Sequence, residues 1–405
     1  MYRLFYCLLL NITLPAQAQE AAAPLTLAAA LQLAEAGNPV LSAARHELAA
    51  QGGALQQAQA LPNPELQTLV EDMRRATRST TVQLNQLIEL GGKRGARADV
   101  ALRGQELAQA GLAAQQADTR AQVTTAFVDV LAAQEGLRLA DSAQALAARA
   151  SDITARRVTA GKASPVEATR AKVAEASVRL ELNLARSTLT QARQRLAALW
   201  GSTAPRFTLA EGSLDTLPPL PPDDELAARL AQSPAVRQAR THLAKQQAML
   251  VVEQRRATPD VTVSIGMKRS EELGRNQAII GLALPLPLFD RNAGNKLDAL
   301  RRSDKASDEL AAARIAVQTA VAAATERLAT ARLDVESLRQ DILPGAQSAY
   351  DAASKGFEFG KFAFLDVLDA QRTLLQAKNQ YLRALTEAQH AAAEIERLLG
   401  APAPL

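Results

Sequence analysis

The side chains best placed to do chemistry in this chain are carboxylates. Asp366 and Asp369 stand three residues apart, so both fall on one side of a helix, directly after the cluster Phe357, Phe359, Phe362 and Phe364. Glu167 holds the matching place in an earlier, similar stretch. Carboxylates gathered at one point attract cations and resist anions. A plainer use of Asp366 is to open a helix, where an acid meets the positive end of the dipole; the two uses are compatible. His46, His242 and His390 are scattered, with no two at ligand spacing, so no metal site is expected. Cys7 is the only cysteine. No glycine-rich phosphate loop follows a strand, and three histidines leave no credible Ser/His/Asp arrangement. The expectation is a protein without catalytic residues, cofactor or resident metal.

The elements that position these acids occur twice. Asn38-Pro39 is matched by Ser233-Pro234, Pro64-Glu65 by Pro259-Asp260, Gly161-Lys162 by Gly360-Lys361, Glu167 by Asp366 and Gly201 by Gly400. A unit of nearly 200 residues is far longer than a solenoid repeat of about 20–50 residues, so the chain reads as a duplicated domain. The expected division is a first repeat over 19–201, a linker over 202–225, a second repeat over 226–400 and a tail at 401–405. Each half runs helix, two strands, very long helix, shorter helix.

Val317, Val321, Ala324, Leu328, Ala331, Val335, Leu338 and Ile342 step by four and three, which is coiled-coil spacing with small residues for close approach. Val123, Phe127, Val130 and Leu137 give the same seam in the first half, with Gln134 interrupting it. No proline lies between Lys93 and Val158, so a helix of about 65 residues can reach about 95 Å. Pro344-Gly345 predicts a kink in the second long helix. Strands are expected at 65–72 and 80–90 around a basic turn, and at 260–267 and 278–288 around the turn Lys268 to Asn276. The ends, Gln19 to Leu25 and 401–405, read as frayed, and Leu214 to Glu225, with four prolines, as an extended loop.

Residues 1–18 have the form of a secretory signal: a short basic start, the apolar run Leu4 to Leu14, and Ala16-Gln17-Ala18 before the cut. Cys7 would leave with it. A formal charge of +4 on 405 residues gives no reason to expect nucleic acid. Aromatics at 3% are too sparse for a large conventional core, and the alanine- and leucine-rich composition suits long, closely packed helices. Four strands of membrane-spanning length cannot close a barrel, and in a bilayer only closure satisfies the sheet edges. Two copies give a barrel filled by side chains and three give twelve strands with room for a lumen. A trimeric duct is favoured; the alternative is a soluble coiled-coil adaptor or scaffold carrying a small sheet.

At this point four stretches resemble the TolC-type outer-membrane efflux family, and within it the CusC/CzcC heavy-metal branch. They are Leu61-Pro62-Asn63-Pro64-Glu65-Leu66, Glu89-Leu90-Gly91-Gly92-Lys93-Arg94, Pro285 through Asn292, and Gly360 followed by Phe364 through Ala370. The resemblance spans essentially the whole chain after the signal. It implies a homotrimer: a twelve-stranded outer-membrane β-barrel continuous with a long periplasmic α-helical barrel. Its partners would be a periplasmic adaptor (membrane fusion) protein and an inner-membrane pump of the resistance-nodulation-division type. The cargo would be heavy-metal cations; a multidrug exporter or the outer component of type I protein secretion are the rival uses. By the same resemblance the turns 158–167 and 356–366 form the periplasmic tips. Gly161, Lys162, Pro165, Phe357, Phe359, Gly360, Lys361, Phe362 and Phe364 would meet the adaptor, while Asp366 and Asp369 would ring the aperture, joined by Glu167 as the matching acid of the first half. Packing of the phenylalanines into the hairpin's own core is the other reading. Lys162, Lys361, Arg156 and Arg157 are expected partners for the acids. The sequence departs from the family in lacking an aromatic girdle on its strands.

Overall fold

Asparagine or serine followed by proline opens the helix that leads into each strand pair, because the side-chain oxygen caps the free amides and the proline sits where no amide is needed. The computed structural model describes residues 24–400; the expected signal at 1–18, with Cys7, and the tail at 401–405 lie outside the described residues. Helix α1 (Leu27–Gly37) precedes α2 (Pro39–Gln59), whose cap Asn38 accepts from the amides of Val40 and Leu41 at 2.8 and 3.1 Å. Strands β1 (Glu65–Glu71) and β2 (Ser79–Ile88) follow, then α3 (Lys93–Thr159) and α4 (Pro165–Ala198). The second half repeats the order with α5 (Asp223–Leu230), α6 (Pro234–Arg255), β3 (Val261–Ser270) and β4 (Arg275–Ala283). Helix α7 (Ala293–Ser337), a π-helical turn (Leu338–Ile342), α8 (Leu343–Glu358) and α9 (Phe364–Leu399) complete it. At 67 residues α3 extends about 100 Å.

The four strands form one antiparallel sheet in the order β1-β2-β3-β4, so the two halves meet at the β2–β3 pairing and the edges β1 and β4 stay open within one chain. Two equivalent cores hold the rods. Val123, Phe127 and Val130 of α3 pack with Leu189, Ala192 and Leu196 of α4 and with Ala30 and Ala34 of α1. Val317, Val321, Ala324 and Leu328 of α7 pack with Ala388, Ala391 and Ile395 of α9. Alanines at zero exposure in the second seam let the helix backbones approach closely.

Several expectations need correction. The seam ends at Leu338: Ile342 is 43% exposed, because the π turn just before Pro344 inserts a residue and rotates the following helix. The π turn lies immediately before Pro344-Gly345, where the sequence predicts a kink. Strand β4 stops at Ala283, since Pro285 and Pro287 cannot donate to the ladder. At the other end, Lys268 to Ser270 and Arg275-Asn276 belong to strands, leaving only 271–274 as the turn. Leu25 is buried and bridges Ala210 rather than fraying. Gln134 breaks the apolar seam for a reason: its amide donates to the Ala210 carbonyl at 3.0 Å and accepts from the Ala210 amide at 2.8 Å, tying α3 to the 202–222 loop.

Candidate functional site

The sheet sorts its side chains by face. Residues directly opposed in an antiparallel ladder point the same way, and alternate residues point opposite ways. Leu66, Leu84, Ile265 and Ile280 therefore form one row, with Thr68, Val82, Met267 and Ala278 in the next row on the same face. Ile265 and Ile280 are 63% and 84% exposed, so among the described residues this apolar surface has no cover. The opposite face carries Gln67, Gln83, Asn85 and Ser264, linked by hydrogen bonds of 2.7–3.2 Å. Farther along that face Lys268 and Ser79 both bond the Glu71 carboxylate. One face suits hydrocarbon and the other suits water, the division a membrane barrel requires. Among the described residues no helix is long and apolar enough to cross a membrane.

A polar clasp joins sheet to rods. Lys93, at the start of α3, pairs with Asp260 at 2.8 Å, and the same aspartate accepts from the Leu90 amide at 3.0 Å. Arg97 bonds Glu89 across the Gly91-Gly92 turn. Gly91 has φ +69°, and a Cβ there would stand 2.8 Å from the Thr258 side chain, so glycine is needed on both counts. Farther down the rods, Arg397 of α9 joins Asp118 of α3 at 3.0 Å and Glu394 at 2.7 Å. The hydrogen bond from Arg397 holds the Glu394 carboxyl below the usual range. Burial, then the neighbouring Asp215, pushes the Tyr381 hydroxyl up.

At the far ends of the rods the two hairpin turns share one backbone. Gly161 and Gly360 have φ +69° and +72°, a conformation that glycine adopts without steric cost. Lys162 donates its amide to the Arg157 carbonyl at 2.8 Å and Lys361 to the Gly356 carbonyl at 2.7 Å. Ser164 caps α4 through its hydroxyl, and Pro165 occupies the first helical position. Helix α9 lacks such a cap; Asp366 reaches back to accept from the Ala363 amide at 2.9 Å. Asp366 and Asp369 are both exposed and Glu167 is half-buried. The phenylalanines divide. Phe357 is buried among Ala171, Ala353 and Val367, whereas Phe359 and Phe362 are 78% and 49% exposed. Phe364 is the first residue of α9.

Among the described residues Arg156 and Arg157 bond groups other than the expected acids. Arg156 pairs with Asp152 on its own helix at 2.8 Å. Arg157 crosses from the first hairpin to the second, donating to the Phe357 carbonyl at 3.1 Å with its guanidinium 4.6 Å above the Phe357 ring. Sequence reasoning missed this contact because the residues lie 200 apart. The matching of the two repeats offered the one available signal, since it sets Arg157 opposite Gly356.

An amphipathic sheet with open edges, clasped to rods of about 100 Å, defines a channel component of an outer membrane. The chain belongs to the outer membrane efflux protein family, whose model matches residues 30–202 and again 226–401. It is 50% identical to the cobalt-zinc-cadmium resistance protein CzcC of Cupriavidus metallidurans, covering 95% of this chain and 92% of that one. It is 30% identical to the nickel-cobalt-cadmium resistance protein NccC of Alcaligenes xylosoxydans xylosoxydans, over 77% of this chain and 68% of that one. The fold is that of CusC, with TM-score 0.79 at 16% identity over 93% and 92% of the two chains. The outer membrane protein VceC of Vibrio cholerae gives 0.76 at 19% identity over 93% and 96%. The protein is an outer-membrane efflux channel with its helical barrel in the periplasm.

Proposed function

We propose that three copies of this chain form the passive exit duct of a tripartite system that expels divalent heavy-metal cations. The observation that carries the cargo is the 50% identity, over nearly the full length of both chains, to a protein named for cobalt, zinc and cadmium resistance. Trimerisation is supported by the open edges: β1 of one copy completes its ladder on β4 of the next, and three copies close twelve strands. The metal is cargo, and the duct does no chemistry on it. An inner-membrane pump would deliver it through a periplasmic adaptor seated on the tips. There Phe359 and Phe362, with Gly161, Lys162, Pro165, Gly360 and Lys361, offer the docking surface, and Phe357 supports them from within. Asp366, Asp369 and Glu167 line the aperture; in a threefold assembly each becomes a ring of carboxylates, which favours cations. The chain divides into the signal 1–18, repeats over 19–201 and 226–400 joined by 202–225, and the tail 401–405.

The test is export in a strain that keeps the pump and adaptor but lacks this chain. Supplying the chain should restore growth in zinc, cobalt or cadmium and lower cell-associated metal. Restored drug tolerance or protein secretion, with metal sensitivity unchanged, would overturn the assignment.

A further inference from the structure

The sheet's outer hairpins carry a basic surface that the export of cations does not use. The hairpin turns lie at the end of the sheet opposite the rods, and so face the cell exterior. Register continues one step beyond β2, because the Glu271 amide donates to the Arg78 carbonyl at 3.0 Å. Arg78 therefore falls on the same face as Thr80, and Thr80 is paired with Arg269 in the row Val70–Thr80–Arg269–Asn276. That row lies directly above the apolar row of Thr68, Val82, Met267 and Ala278 on the lipid-facing side. Four residues separate Arg269 from Ile265, about 13 Å along the strand. Arg269 and Arg78 thus stand at the outer edge of the apolar band, where hydrocarbon gives way to headgroups.

Both arginines are exposed, and as diagonal neighbours across the ladder they lie within reach of one another. Nearby acids neutralise them only in part. Glu71 is held on the opposite face by Lys268, and Asp72 accepts from the Thr77 hydroxyl at 2.5 Å and the Arg74 amide at 3.0 Å. Glu271, opposite Arg78 in the continued register, reaches Arg269 at 3.5 Å, and Arg269 also donates to the Gly274 carbonyl at 3.5 Å; Glu272 is exposed in the same turn. Among the described residues Arg78 makes no ion pair, and neither do Arg74 and Arg75 in the adjoining turn. One carboxylate, Glu271, faces two guanidinium groups, and their forked donors match phosphate oxygens. No aromatic girdle anchors this edge of the barrel, so it needs another hold on the interface.

We infer that Arg78 and Arg269 form a phosphate-binding site for an anionic phosphorylated glycolipid of the outer leaflet, with Arg74 and Arg75 adding field. The site anchors the barrel at the depth where aromatic belts are usual. The inference rests on the barrel's place in the outer membrane and not on its cargo or gate.

The probe is bisphosphorylated lipid A, titrated onto the full-length protein in mild detergent and read by native mass spectrometry, with phosphatidylethanolamine, a zwitterionic phosphodiester of no net charge, as the comparison. The double variant Arg78→Gln/Arg269→Gln should weaken lipid A binding by about tenfold or more, the scale of losing charge-assisted bonds. Arg275→Gln removes one charge from the lumenal face, where Arg275 is paired with Ser270, and is the charge-matched control for Arg269→Gln alone; it should change binding less than about twofold. The same spectra report assembly; if the double variant fails to assemble, Arg269→Gln alone should still weaken binding. Equal binding by wild type and variant, or equal loss in Arg275→Gln, would overturn the site. Displacement of the lipid by millimolar inorganic phosphate would show a soluble-anion site and overturn the membrane assignment.

Discussion

The two hairpin tips have the same backbone and opposite surfaces. Both turn on a glycine at positive φ and both return an amide to the carbonyl five residues back. The first, 158–167, then presents Ala163, Ser164 and Pro165; the second, 356–366, presents Phe359 and Phe362 and lacks a side-chain cap. Duplication preserved what the chain needs in order to turn and let the surface diverge. The first tip is a well-capped support that sends Arg157 across. The second is a less self-sufficient apolar surface, held by that arginine and by Asp366 bonding back to its own turn.

The largest effect should come from the charge at the second tip. Asp366→Asn with Asp369→Asn should lower the cation-over-anion permeability ratio several-fold in planar-bilayer recordings, whereas Glu167→Gln alone should change it far less. Equal effects at the two tips would erase the functional difference between them. Next is Gly356→Ala. A Cβ there would run into the Phe362 ring, so the ring must leave its seat. Adaptor affinity measured by surface plasmon resonance should fall, while Gly345→Ala, where nothing lies within 4 Å, should not alter it.

Arg157→Met tests the strut between the tips. Losing one carbonyl hydrogen bond and one cation–π contact should cost about 1–2 kcal/mol, measured by chemical unfolding of the tip helices. Ser164→Ala should cost about 1 kcal/mol through the lost cap, and Ala363→Ser at the second tip should stabilise by a similar or smaller amount. The smallest effect concerns Glu394, away from either tip. Its carboxyl is held below the ordinary value of 4.5 by Arg397, so the pair's contribution is present above that pH and fades as acidification protonates the folded state. The difference in Tm between wild type and Glu394→Gln should hold steady at neutral pH and shrink below pH 4.5.

Much of this was legible in the sequence because periodicity is a local record of burial. Val317, Val321, Ala324, Leu328, Ala331 and Val335 are buried along α7, and Val263 and Ile265, inside an expected strand, lie on the face that the sheet exposes. Gly161 and Gly360 announced their turns because few other residues adopt that φ readily. What escaped depended on distant partners. Gln134 looked like a flaw until Ala210 was placed beside it. The four tip phenylalanines looked alike until Arg157 and Ala171 separated Phe357 from Phe359. Ile342 kept its heptad spacing, but the π turn beneath it changed the phase, and no side-chain pattern records that.

The central claim, a threefold duct, is tested most directly by the mass and shape of the protein extracted from outer membranes in mild detergent. Light scattering with electron-microscope class averages should give a trimer shaped as a tube longer than about 100 Å, the rods plus the barrel. A monomer or dimer that stays soluble without detergent would contradict it, since the apolar face of the sheet would then never meet lipid.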